Sequence, residues 1–326
     1  MELIVPFCNP YLLLITKSFR DRKLEDPFMK EFKGIFPAIM TPFDVQGQVS
    51  EVALRKTVKY SLDTGVDGFY ICGGGGEGLL LTVPERQNIL EIVLDEVGGR
   101  ASVMTHIGAF QIPDTMTLAR HASKAGADAV ASMPPAYFYK PDLESLVKFY
   151  QQIAEESGLP TLAYNIPGRV PINLDTSTFD KLIKIPGVIG LKDSTGDLYQ
   201  LTLSAMLDGG KITVFNGGDQ VLWYALMAGC KGGIGSTYPA MLPLFVQIYK
   251  AFIAGDGKTG LRLQQQVNLV IQEILRFDTL AAMKQILKWI DLDSGDPRQP
   301  TSPLNSNQAT ELKAGLERIG FFDLHK

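Results

Sequence analysis

One lysine of this sequence, Lys192, has surroundings that could make its side chain a nucleophile. It ends the apolar run GVIGLK, which has the length and composition of a buried strand. Burial disfavours an ammonium ion and lowers a lysine pKa from about 10.4 towards about 7. The neutral amine can then add to a ketone carbonyl. Such a lysine can also reach solvent or pair with Asp193 or Asp197, so the run alone leaves these alternatives open.

A tyrosine stands at the matching place in the preceding apolar run, TLAYNIP. If the two runs are neighbouring strands about 4.8 Å apart, the Tyr164 phenol can reach the atoms attached to the Lys192 nitrogen. A phenol at that place can carry protons while a carbinolamine collapses and a carbon–carbon bond breaks. Taken alone, Tyr164 would be an ordinary core aromatic, so its interpretation depends on Lys192.

Four consecutive glycines, Gly73 to Gly76, follow the second apolar run. Their backbone N–H groups are not covered by side chains and could bind a carboxylate, although a turn without a ligand is the alternative. The string GGGGEG also fits G-x-G-x-x-G, but it follows the second strand rather than opening a Rossmann unit, which disfavours a dinucleotide site.

Other kinds of catalytic site find little support. His106 and His121 have no carboxylate or cysteine at metal-ligand spacing, so both are interpreted as structural. Neither a G-x-S-x-G elbow nor a Walker sequence is present. We therefore expect covalent imine chemistry without a cofactor or metal.

Composition excludes several classes of partner. The 326 residues include 31 basic and 35 acidic side chains, a net charge of −4, and no cluster of Lys and Arg suited to nucleic acid. The three cysteines, Cys8, Cys72 and Cys230, are far apart and odd in number, which disfavours disulfides and favours a reducing cytoplasmic setting.

Residues 1–28 contain an apolar run that is too short to span a membrane. Glu2 precedes that run, where a signal peptide would carry basic residues. We expect a disordered arm or a misassigned start, with Met29 as the alternative first residue.

Short apolar runs alternate with amphipathic stretches along the rest of the chain, as expected for βα units with a buried parallel sheet. The eight predicted strands are GIFPAIMTPF, GFYICG, ASVMTHIG, AVASMPP, TLAYNIP, VIGLKDS, ITVFNGG and GGIGSTY. Eight such units favour a (β/α)8 TIM barrel at 29–240 over a doubly wound open sheet, and 241–326 would hold the last barrel helix and a C-terminal helical appendage. In this fold the carboxyl ends of the strands carry the chemistry, and there lie the glycine run, Tyr164 and Lys192.

These motifs, in this order and spacing, resemble the dihydrodipicolinate synthase and N-acetylneuraminate lyase family of class I pyruvate aldolases. The resemblance extends from about Phe32 to Pro303. It rests on GIFPAIMTPF, GGGGEGLLLTVPER, HIGA, AGADAV, YNIPGRV, GLKDSTGD, NGGD and GGIGSTYP.

The resemblance implies roles for individual residues. Lys192 would form the imine with pyruvate, Tyr164 would carry protons, and Tyr137 or its neighbour Tyr139 would be a relay tyrosine that reaches across a dimer interface. Family members are usually homotetramers built from dimers. The implied substrate-binding residues are Gly74, Gly75, Arg169, Gly217, Asp219, Gln220, Ile234 and Ser236.

Two features bear on the reaction within the family. Most members carry Thr or Ser at the positions of Gly74 and Gly75, and losing those hydroxyls weakens a synthase interpretation most. Arg169 is placed as in the synthases, whereas Asp219, Gln220 and Ser236 resemble the polyol-binding positions of the sialic acid lyases. We therefore expect a lyase that cleaves an N-acetylneuraminate-like 2-keto acid to pyruvate and an aldehyde. A synthase acting on aspartate semialdehyde, an aldolase or dehydratase of 2-keto-3-deoxy sugar acids and a non-catalytic keto-acid-binding barrel are the alternatives.

Overall fold

Eight short parallel strands pair side by side in the computed structural model, which describes residues 30–136 and 140–325. From β2 to β8 each strand pairs with the next, and β8 pairs with β1. The strands are β1 Gly34–Pro37, β2 Gly68–Ile71, β3 Ser102–His106, β4 Ala129–Ser132, β5 Thr161–Asn165, β6 Val188–Asp193, β7 Thr213–Asn216 and β8 Gly232–Gly235.

The ring of eight strands closes between β1 and β2. There the Ile39 N–H donates to the Tyr70 carbonyl at 2.9 Å, and the Asp67 N–H donates to the Ile35 carbonyl at 3.1 Å. The predicted (β/α)8 barrel is therefore confirmed, and the doubly wound open sheet is excluded because such a sheet would leave two unpaired edges.

Helices alternate with the strands and then continue beyond β8. They are α1 Glu51–Thr64, α2 Val83–Val97, α3 Ile112–Ala125, α4 Leu143–Ser157, α5 Thr176–Leu182, α6 Leu198–Met206, α7 Leu222–Met227, α8 Tyr238–Ile253, α9 Gly257–Ile274, α10 Thr279–Trp289 and α11 Ser306–Arg318. None of the helices within the described ranges is long and apolar enough to cross a membrane.

Local sequence explains where several helices begin and end. Gly65, Gly126 and Gly158 take left-handed backbone conformations just after α1, α3 and α4, as the glycine pattern predicts. Helix α2 begins with a capping box in which Thr82 and Glu85 hydrogen-bond reciprocally. These signals fix the lengths of the crossovers and so the places where the next strands start.

Alternation along the strands decides which side chains face the barrel interior. In β6, Leu191 packs in the apolar layer shared with the helices, and the next side chain, Lys192, contacts Tyr70 and Tyr164 instead. Asp193 points outward again and accepts a hydrogen bond from Gln200 on α6. The lysine and the aspartate thus lie on opposite sides of one strand.

A buried ion pair connects the turn after β2 to α10. The Lys284 Nζ lies 2.8 Å from the Glu77 carboxylate, and both side chains are nearly inaccessible. Lys284 also donates to the carbonyls of Thr41 and Asp296 at 3.0 and 3.1 Å. The C-terminal helices therefore hold the end of the glycine run in place.

Residues 1–29 lie outside the described part of the chain, as does the expectation of a disordered or misassigned start. Residues 137–139 lie outside it too, so the relay role of Tyr137 or Tyr139 stays a prediction.

Replacing Lys284 with Met should lower the free energy of unfolding by about 3–5 kcal/mol, because the Glu77 carboxylate would stay buried without its partner. The matched control is Lys56→Met, which breaks the solvent-exposed pair between Lys56 and Asp291 and should cost less than about 1 kcal/mol. Urea unfolding followed by circular dichroism measures both. Equal losses in the two variants would contradict this assignment.

Candidate active site

Lys192 is the penultimate residue of β6, and its side chain is directed into the barrel. Only 4% of the residue is exposed. Its Nζ lies 3.9 Å from the centroid of the Tyr70 ring and 4.3 Å from that of Tyr164. Of the alternatives that the sequence left open, exposure to solvent does not occur, and Asp193 faces the other side of the strand.

These surroundings change the acidity of Lys192. Burial is the main cause, and it lowers the pKa of the ammonium to about 7, while the negative charge of Asp219 acts in the opposite direction. In a substantial fraction of the protein molecules, Lys192 is therefore a neutral amine at physiological pH. That fraction is able to attack a carbonyl carbon.

Tyr164 is the penultimate residue of β5 and lies directly beside Lys192 in the register of the two strands. Its side chain is buried, and burial raises the pKa of the phenol to about 12. The Tyr164 phenol is therefore protonated at physiological pH. The predicted pairing of the two residues is present in the structure.

Two further rings, which the sequence reasoning did not assign to the site, surround this pair. Tyr70 on β2 and His106 on β3 lie with their ring centroids 6.3 and 5.9 Å from that of Tyr164. Burial, together with the positive charges of Arg86 and Lys192, lowers the pKa of His106 well below its usual value, so the imidazole is neutral. The signal that could have found Tyr70 is its place near the carboxyl end of β2, in the same ring of strands as Tyr164.

Asp193 holds the ends of β5 and β6 together. One carboxylate oxygen accepts hydrogen bonds from Asn165 at 2.9 Å and Gln200 at 2.6 Å, and the other accepts from the Thr195 N–H at 2.7 Å. Asn165 in turn accepts from the Leu174 N–H at 2.9 Å. This buried network fixes the strand ends that carry Tyr164 and Lys192.

The glycine run forms a turn that is fixed by contacts with neighbouring residues. The Thr41 hydroxyl donates to the Gly76 carbonyl at 2.6 Å, and Gly76 has no room for a side chain because an added Cβ would lie 2.9 Å from the Ile39 carbonyl oxygen. A Cβ at Gly74 would meet nothing within 4 Å, and one at Gly75 would lie 3.2 Å from the Ser236 Cβ. Glycine is therefore not demanded by packing at Gly74.

The backbone N–H groups of Gly74 and Gly75 have no acceptor within the described residues. They are available to a ligand, as the sequence predicted for a carboxylate site. Gly75 lies beside Ser236, which follows β8, so the turn and the end of β8 border the same space.

Asp219 lies in the short helical turn after β7 and is buried. One carboxylate oxygen accepts from the Thr237 N–H at 2.8 Å and from the Thr237 hydroxyl at 2.7 Å. The other oxygen is buried without a hydrogen bond from any described residue. Burial raises the pKa of the carboxyl to about 6 despite the Thr237 hydrogen bonds.

The other predicted substrate-binding residues differ in exposure. Ile234 is buried within β8, and the Gly217 N–H donates to the Asp193 carbonyl at 2.6 Å. Gln220 is exposed beside Asp219. Arg169 is exposed in the loop after β5 and forms no ion pair with any described residue. Their roles towards a substrate stay predictions.

Comparisons with known proteins agree with this arrangement. A profile of the dihydrodipicolinate synthetase family matches residues 31–319. The N-acetylneuraminate lyase of Enterobacter sp. (strain 638) is 33% identical over 292 residues, which cover 89% of this chain and 98% of that protein.

Solved structures are similar over the same region. The wild-type sialic acid aldolase of Ruminococcus gnavus superposes with a TM-score of 0.85 at 28% identity, covering 90% of this chain and 98% of that chain. A dihydrodipicolinate synthase from Bacillus anthracis gives a TM-score of 0.84 at 27% identity, covering 89% of this chain and 99% of that chain.

The rate of imine formation with pyruvate should rise with pH, reach half its maximum near pH 7 and then level off, because only the neutral Lys192 amine adds to the ketone. Below the midpoint the rate should fall about tenfold per pH unit. Quenched-flow trapping with borohydride measures it, and Lys192→Arg gives the background. A rate that still climbs tenfold per unit between about pH 8 and pH 10 would show an ordinary lysine instead.

Proposed function

Because this chain belongs to the dihydrodipicolinate synthetase family of pyruvate-dependent class I aldolases and lyases, we propose that it cleaves a hydroxylated 2-keto acid similar to N-acetylneuraminate. The products would be pyruvate and an aldehyde, and Lys192 would hold the keto acid as a Schiff base. The observation that carries the proposal is the buried Lys192 amine beside the Tyr164 phenol at the carboxyl ends of two neighbouring strands.

Imine formation needs an amine and a proton donor. The neutral Lys192 amine adds to the C2 carbonyl, and one proton moves from nitrogen to oxygen to give a carbinolamine. The hydroxyl group then leaves as water with the proton of Tyr164. A protonated imine and a tyrosinate remain side by side, and each charge stabilises the other.

Cleavage uses the same two groups. The tyrosinate takes the proton of the C4 hydroxyl, the C3–C4 bond breaks, and its electron pair moves towards the positively charged nitrogen. This step releases the aldehyde and leaves an enamine of pyruvate. Tyr164 then returns its proton to C3, which gives the protonated imine of pyruvate and a tyrosinate. Water hydrolyses this imine to free pyruvate and the lysine amine, and the proton that is released goes back to the tyrosinate.

The carboxylate of the keto acid would bind to the glycine turn. The free N–H groups of Gly74 and Gly75 suit an anion, and the Glu77–Lys284 pair fixes the turn that presents them. Because the hydroxyls of other family members are absent here, binding would depend on the backbone alone.

Residues around β7 and β8 support a polyhydroxylated substrate. One carboxylate oxygen of Asp219 accepts no hydrogen bond from a described residue, so it could accept one from a sugar hydroxyl that reaches it. Ser236 and Gln220 would add neutral polar contacts, and Ile234 would line the pyruvate pocket.

Arg169 favours a second candidate function. An exposed guanidinium without an ion-pair partner in the described region could bind the carboxylate of a second substrate. That would suit a synthase that condenses pyruvate with aspartate semialdehyde. For either reaction we propose a homotetramer, in which Tyr137 would complete the relay of a neighbouring subunit.

Borohydride reduction in the presence of pyruvate should add a stable mass to the peptide that contains Lys192. The peptide that contains Lys284 should stay unmodified, because that amine is already held by Glu77 and backbone carbonyls. Mass spectrometry of digested protein measures both peptides. An unmodified Lys192 in a folded sample would refute the Schiff base.

A panel of substrates separates the candidate reactions. We expect pyruvate release from N-acetylneuraminate to exceed release from 2-keto-3-deoxy sugar acids and condensation of pyruvate with aspartate semialdehyde. Asp219→Asn should reduce cleavage about tenfold or more, since a buried hydrogen-bond acceptor for the sugar would be altered. Arg169→Ala should leave cleavage nearly unchanged.

The opposite pattern, with condensation dominant and sensitive to Arg169→Ala, would favour the synthase. A lactate dehydrogenase assay follows pyruvate in either direction. Ligand-dependent melting without any turnover would indicate a binding protein instead.

A further inference from the structure

The Lys192 amine lies in a corner formed by two aromatic faces. Its Nζ is over the Tyr70 ring at 3.9 Å and over the Tyr164 ring at 4.3 Å. The two ring planes meet at 81° with their centroids 6.3 Å apart. Two perpendicular faces therefore point at the nitrogen on which the proposed reaction would develop positive charge.

Tyr70 is held firmly in this position. Its side chain has no solvent exposure. An added Cβ at Gly73 would lie 2.4 Å from the Tyr70 Cε1, so the ring packs directly against the glycine turn. Gly73 is glycine in this turn because the Tyr70 ring occupies the space of a side chain.

We propose that Tyr70 is a catalytic residue that stabilises the protonated imine on Lys192 through the face of its ring. The inference rests on the Schiff base proposed above and adds a group to it. An aromatic face carries negative charge density and attracts a cation, most strongly where water is excluded. The carbinolamine is neutral and the protonated imine is a cation, so the ring favours the second over the first.

Buried surroundings strengthen this interaction, which adds to the charge of the Tyr164 tyrosinate. Desolvation disfavours positive charge on the Lys192 nitrogen, and Asp219 is the group that opposes this effect through its charge. A carboxylate in direct contact would hold the lysine as an ammonium ion and suppress its attack. An aromatic ring stabilises the later cation without fixing the proton so firmly on the free amine.

The ring, and not its hydroxyl, carries this role. The Tyr70 hydroxyl is buried and makes no hydrogen bond to a described residue. Burial raises the pKa of this phenol well above its usual value, so it does not serve as a base. Tyr70→Phe should therefore preserve the effect.

Fluorination tests the ring without changing its shape much. Fluorine atoms withdraw electrons from the face, so a cation above it is held less tightly as fluorines are added. Position 70 would carry Phe, then 4-fluoro-, 3,5-difluoro- and 3,4,5-trifluorophenylalanine by codon suppression. The measurement is the pyruvate concentration that gives half-maximal borohydride-trapped adduct on Lys192.

We expect Tyr70→Phe to stay within about threefold of the unmodified protein, because the lost hydroxyl makes no hydrogen bond to a described residue. The half-maximal pyruvate concentration should then rise stepwise with fluorine number, to about tenfold for the trifluoro variant. The matched control is Phe69, the preceding residue of β2, whose ring packs in the layer shared with the helices. The same substitutions there should leave trapping unchanged.

Three results would overturn the inference. Trapping that does not depend on fluorine number, while Lys192 is still modified, would remove Tyr70 from the reaction and leave the Schiff base intact. An equal effect at Phe69 would show a general disturbance of β2. Absence of any adduct in the unmodified protein would refute the Schiff base, and the inference with it.

Discussion

The site depends on one constraint, which is that the Lys192 amine is kept out of water and has no ion-pair partner among the described residues. A buried ammonium ion is unfavourable, so the pKa of Lys192 falls, because no described carboxylate contacts its nitrogen. Part of Lys192 is thereby a neutral amine near pH 7, which is the form that the proposed reaction needs. The ring of strands, the aromatic corner and the polar network around Asp193 all serve to keep that amine in place.

A second buried lysine differs from Lys192 because it is paired with a carboxylate. Lys284 meets the Glu77 carboxylate and backbone carbonyls, so its nitrogen is occupied and its role is structural. Both lysines are nearly inaccessible, and burial lowers both pKa values. The two buried lysines therefore differ in their neighbours: Lys284 contacts a carboxylate, and Lys192 contacts two aromatic rings.

Both lysines are connected to the glycine turn, each through a different neighbouring side chain. Lys284 fixes the glycine turn through Glu77, and the Tyr70 ring that contacts Lys192 packs against Gly73 in the same turn. The C-terminal helices are therefore connected to the site through a short chain of contacts. In the proposed function, where the glycine turn binds the substrate carboxylate, these helices would help to position it, although they lie outside the alternating βα units.

The sequence by itself determined the kind of fold and the central pair of residues. Strand runs, glycine caps and their spacing depend on local backbone preference, so the barrel, Tyr164 and Lys192 could be predicted from order alone. Tertiary structure decided what surrounds them. Tyr70 lies far from Lys192 along the chain, and the barrel brings the two side chains together. The packing of α10 brings Lys284 to Glu77 in the turn that follows β2. Strand geometry alone turns Lys192 inward and Asp193 outward. Whether the buried amine then meets a carboxylate or an aromatic face depends on packing between strands. Local sequence does not encode that packing.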